Sequence, residues 1–78
     1  MERHTIPPKN RPEWQQMVTG EIQHRFSNFV LQMKISGYKS NIASGRTTIE
    51  DAVDELYELC QKYALAVQAD FQIVFKEW

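Results

Sequence analysis

The sequence predicts an all-α chain, an antiparallel helical hairpin with helices over residues 12–43 and 48–77 behind an extended, proline-containing arm. Three observations lead there. Apolar residues recur at spacings of three and four through both halves of the chain, as one face of a helix requires. The short link Ser44-Gly45-Arg46 separates the halves and is suited to turning the chain back on itself. The stretch "TTIEDAVDEL" carries the marks of a helix start.

Residues 1–11 read as the arm, because Pro7-Pro8 favours polyproline geometry and forbids a helix. Asn10 is placed to cap a helix that has Pro12 in its first turn and Glu13 three residues after the cap. Trp14, Val18, Ile22, Phe26, Phe29, Val30 and Met33 then fall within about 160° of one another at 100° per residue. Leu31, Ile35, Tyr38 and Ile42 follow on roughly the opposite side of the cylinder. Gly37 sits inside this change of face. The helix is expected to run through it to Ala43, termination at Gly37 being the alternative, and Ser44-Gly45 supplies the stop.

Thr47 and Glu50 have capping-box spacing, and Glu50, Asp51 and Asp54 crowd the first turns, where the helix dipole favours acids. Ile49, Val53, Leu56, Cys60, Tyr63 and Val67 form a seam stepping by four and three, which Phe71, Val74 and Trp78 continue after one extra four. Tyr57, Ala64 and Phe75 widen the stripe to roughly 120°. The rival reading is a short strand at 71–77, with Phe71, Ile73 and Phe75 on one face, since the segment is aromatic and β-branched.

Two slender helices side by side bury only their line of contact, and each large apolar side chain left in water forgoes about 1.5–3 kcal/mol. A 78-residue chain has little to spare. The sequence therefore predicts that a homodimer completes a four-helix bundle, or that another protein docks instead. Trp14, Phe26, Phe29, Met33, Phe71, Phe75 and Trp78 are the expected interface, with Leu56, Cys60, Tyr63 and Val67 as the hairpin core.

The composition, 42% hydrophobic and 24% charged, is that of a folded globular protein. A net charge of −1 lacks the basic field of a general nucleic-acid-coating protein. One cysteine excludes an intrachain disulfide, and the longest apolar run, "YALAV", is far short of a membrane span. The first residues lack the apolar stretch of a signal peptide, so a cytoplasmic location is expected.

Candidate chemistry is sparse. Glu21 and His24 have the Glu-x-x-His spacing that supplies a carboxylate and an imidazole to the metals of di-iron four-helix bundles, and a dimer would provide two such pairs. But they lie at and beyond the margin of the apolar stripe, and two solvated side chains is the simpler reading. Cys60 sits among Leu56, Tyr63 and Ala64, where a thiolate is disfavoured, and reads as core. His4 has no identifiable partner. Lys34, Lys39 and Arg46 gather towards one end of the hairpin, near "SGRTT", and form the best nucleic-acid or phosphate site. Glu50, Asp51, Asp54, Glu55 and Glu58 follow directly and oppose it, and the same acids argue against an anionic membrane. The arm "TIPPKNRPEW" is either a stiff recognition segment or a strap over the hairpin's open end. The expected function is a small non-enzymatic assembly, adaptor or regulatory module without a cofactor or small-molecule substrate. A nucleic-acid-binding regulator and a metal bundle are the rivals.

Overall fold

The computed structural model describes residues 6–76. It contains four helices: α1 (Pro12–Thr19), α2 (Phe29–Ala43), α3 (Ile49–Lys62) and α4 (Ala64–Val74). No strand occurs among the described residues, so the strand alternative for 71–77 fails where it is visible; Phe71–Val74 is helical and Phe75 is the extended residue that ends α4. Trp78 lies outside the described residues.

The expected first helix, 12–43, is two helices joined by a non-helical segment. Gly20 adopts φ 84°, the left-handed conformation that closes a helix, and its N–H reaches back to the Met17 carbonyl. The Ile22 N–H caps the Gln16 carbonyl at 3.1 Å. Eight residues after Gly20, Asn28 is extended and its side chain accepts the Leu31 N–H at 3.1 Å, opening α2. The apolar period runs unbroken through this region; the punctuation comes from the glycine and the asparagine.

From there α2 passes through Gly37 and ends at Ala43, as the sequence predicts. Gly45, at φ 80°, turns the chain towards α3. The cap of α3 is one residue later than expected: Thr48, extended at φ −104°, accepts the Asp51 N–H at 3.1 Å, and the Thr47–Glu50 box is not formed. The second expected helix, 48–77, also divides. Tyr63, at φ −111° and ψ 26°, donates its N–H to the Leu59 carbonyl, and its own carbonyl accepts from Ala66 and Val67. One residue thus closes α3 and opens α4.

The break at Gly20 decides the packing. α1 lies against both α3 and α2, and α3 also contacts α2 and α4. Trp14 becomes the hub: its ring meets Tyr57 edge-on at 5.4 Å, Phe75 at 4.8 Å and Phe71 at 6.3 Å, and its Nε1–H donates to the Pro8 carbonyl at 2.9 Å. Phe26 stands edge-on to Phe71 at 5.9 Å. Trp14, Phe26, Phe71 and Phe75 are therefore at most 1% exposed within the single chain. These four were expected at an interface. A short α1 folded across its neighbours covers them, which one long rod could not do.

Leu56, Cys60 and Val67 are fully buried and Tyr63 partly so, in keeping with their expected place in the core. The described part of the arm, residues 6–11, folds back rather than standing free: Ile6 and Pro7 are buried, and Lys9 pairs with Asp54. Arg11 binds Glu13 through Nε and Nη2, and Nη2 also donates to the Lys76 carbonyl at 2.7 Å, tying α1 to the residues after α4.

Candidate functional site

Residues 20–28 run beside α2 and leave a groove of about 720 Å³ between them. Its size is that of a ligand or peptide site. Met17, Ile22 and Ile35 supply an apolar lining, and Phe29 and Met33, one helical turn apart, stand along its α2 edge. Phe29 is 70% exposed and Met33 59%.

The loop wall is held on two sides. The Ser27 N–H donates to Asp70 Oδ2 at 2.8 Å, and Ser27 Oγ lies 2.9 Å from both that oxygen and the Ala66 carbonyl. His24 packs edge-on to Phe26 at 5.6 Å, and its Nε2 lies 3.4 Å from Asp70 Oδ1, close to the carboxylate but without hydrogen-bond geometry. On the other side the Gln32 amide donates to the Phe26 carbonyl. At the far end the aliphatic part of Lys39 crosses Gly20, where a β-carbon would sit 3.0 Å from Lys39 Cδ. The groove is thus set by side chains of α2 and α4 holding a segment with little regular structure of its own.

Its charge is one-sided. Arg25 and Lys39 line it, and among the described residues no carboxylate does. Among the described residues neither cation has an ion-pair partner, whereas Lys34 is engaged by Glu55 at 3.1 Å and Lys9 by Asp54.

The basic trio expected from the sequence is not gathered. Lys34 points to Glu55 on α3, Lys39 crosses Gly20, and Arg46 is exposed in the turn before α3. Lys34 and Lys39 are five residues apart, about 140° around the helix, so they cannot share one face. Glu55 also accepts from the Tyr38 hydroxyl at 3.1 Å; burial and that nearby carboxylate raise the phenol's pKa.

The Glu21–His24 pair loses its premise, because both residues fall in the non-helical segment. Glu21 Oε2 lies 3.1 Å from the Thr19 hydroxyl while His24 faces Asp70, and no group of three potential metal ligands occurs among the described residues. Cys60 is enclosed, and burial pushes its thiol up to about 12, which keeps it protonated. Among the described residues no helix is long and apolar enough to cross a membrane.

Arg25, Met17 and Ile22 were not singled out as site residues in the sequence. The signal that marks them is the pair Gly20 and Asn28, a helix closer and a helix opener eight residues apart. No protein-family model matches the chain, and neither curated proteins nor solved structures provide a match.

Proposed function

We propose that the chain is a small, non-enzymatic interaction module of the cytoplasm that holds another protein against the exposed apolar side of α2. The observation behind this is the exposure of Phe29 and Met33 beside a pinned groove. With the aromatic core closed by the chain itself, these two side chains contribute little to folding. Large apolar side chains grouped at the edge of a concavity are the usual mark of a docking surface. The protonated, enclosed thiol of Cys60 and the separation of Glu21 from His24 favour binding over catalysis.

The test compares wild type with Phe29→Asp/Met33→Asp as baits in extracts of the source cell, after circular dichroism has shown equal helicity. Proteins retained by the wild type and lost from the double variant support the reading. Equal retention by both baits overturns it.

A second copy of the chain is a further partner for a different surface. On α4, Leu65, Ala69 and Ile73 recur every four residues, all exposed, with Leu65 at 85%. Such a stripe suits helix-on-helix packing in a symmetric dimer, a bundle built from α4 and its copy. Sedimentation across protein concentration, with Leu65→Asp as the dissociating control, checks it; a monomer at all concentrations removes it.

A further inference from the structure

We propose that the groove between residues 20–28 and α2 receives an acidic amphipathic helix of a partner protein, its apolar side chains on Phe29 and Met33 and its carboxylates on Arg25 and Lys39. This rests on the reading of α2's outer side as a docking surface and adds the chemistry of the partner.

The dimensions fit a helix. Phe29 and Lys39 are ten residues apart on α2, about 15 Å along its axis, or nearly three turns. A helix lying in a groove is anchored by apolar residues at i, i+3 or i+4 and i+7, which spans a similar length. Met33, exposed at the groove's edge, gives it an adaptable, polarisable surface that accepts different apolar shapes. The walls are held in place before any partner arrives, by Asp70 on Ser27 and by Gln32 on the Phe26 carbonyl, so little ordering accompanies docking.

The charge selects the partner. Arg25 and Lys39 are exposed, and among the described residues they lack carboxylate partners and line a groove that contains no acid. Arg25 lies four residues before Phe29 and Lys39 ten after it, so the cations flank the apolar stretch. An acidic helix would place carboxylates against both, and a basic one would meet repulsion at both.

The chain's own exposed helical faces do not offer this combination. α3 is acidic on its outer side, but its one large exposed hydrophobic residue is Ile49. The α4 stripe of Leu65, Ala69 and Ile73 is apolar without a free acid, since Asp70 is held by Ser27. A foreign helix fits better than a second copy. A nucleic-acid strand is disfavoured by the apolar lining and by the presence of two cations rather than a basic track.

The experiment is a selection on the full chain. A displayed library of helical peptides, with apolar residues fixed at i, i+4 and i+7 and the flanking positions randomised, is enriched for binding. The expected result is enrichment of Asp and Glu at the flanking positions. The selected peptides should also lose affinity by about tenfold or more for Arg25→Glu/Lys39→Glu, as juxtaposed like charges require. The same library selected on that variant should turn to Lys and Arg. The milder pair Arg25→Gln/Lys39→Gln, checked for unchanged helicity, guards against a folding artefact and should weaken binding without reversing the preference. Enrichment of neutral or basic peptides that still need Phe29 and Met33 would overturn the acidic partner and leave the docking surface standing. No enrichment above the Phe29→Asp/Met33→Asp control would overturn both. Peptides whose binding is indifferent to Phe29 and Met33 would do the same.

Discussion

Phe26 and Phe29 are three residues apart, aromatic, and in phase with the same apolar period, yet one is completely enclosed and the other 70% exposed. Asn28 stands between them and makes the difference. By accepting the Leu31 N–H it starts α2 anew, so Phe29 leaves along the new helix while Ser27 and Phe26 stay against α4. Phe26 joins Phe71 in the aromatic core; Phe29 stands along the groove. An apolar period shows that a side chain suits an interface, but the fold of this chain decides which residues meet inside it. Those left over after the inside is filled are the candidates for work outside.

The contrast is broken most directly by truncating each ring. Phe26→Ala removes a fully buried aromatic and should cost about 3–5 kcal/mol, whereas Phe29→Ala should change stability by less than about 0.5 kcal/mol. Urea denaturation of both variants measures this. Similar losses at the two positions would mean that Phe29 belongs to the folding core after all.

The glycines that frame the two regions sharpen it further. Gly20→Ala forces a β-carbon into a left-handed backbone and against Lys39, and should destabilise by about 1–2 kcal/mol. Gly37→Ala, inside α2 with only Asn41 Nδ2 at 3.9 Å from the added carbon, should stabilise by about 0.5–1 kcal/mol. Thermal melts should therefore shift in opposite directions. Matching shifts would contradict the break at Gly20.

The smallest effect concerns acid. The hydrogen bond from Arg11 holds the Glu13 carboxyl below its usual range, so the folded chain favours the ionised form more than the unfolded chain does. That contribution is present above the ordinary carboxylate pKa and disappears as pH falls through the lower, folded value. The gap in melting temperature between wild type and Glu13→Gln should narrow from about pH 6 to about pH 3. A gap that is constant over this range would show that the pair does not contribute.

Helical content, the run through Gly37, the stop at Gly45 and much of the core were legible because each follows from local rules of spacing and capping. Leu56 and Cys60 on α3 and Val67 on α4 keep one apolar stripe across the break at Tyr63, and such a stripe is readable from spacing alone. The positions of Trp14, Phe26, Phe71 and Phe75 were not, because their burial depends on the chain breaking at Gly20, so that Trp14 of α1 reaches Tyr57, Phe71 and Phe75 while Phe26 of the following loop meets Phe71. Gly20 is compatible with a helix interior at a cost of about 1 kcal/mol, so a continuous apolar pattern outweighs it in a local reading. The groove was hidden for the same reason: its loop wall exists only once that helix has ended. Phe29 and Met33 were legible as apolar surface, whereas the cation beside them, Arg25, stood outside any recognisable motif.

Arg11 reaches the carbonyl of Lys76, 65 positions further along the chain, and Trp14 rests on Phe71 and Phe75. During synthesis the indole can meet Tyr57 once α3 has emerged from the ribosome, but its seat is complete only when α4 follows. A chain stalled or clipped before α4 would leave one side of that ring open to water, which makes α4 the latch that closes the aromatic core.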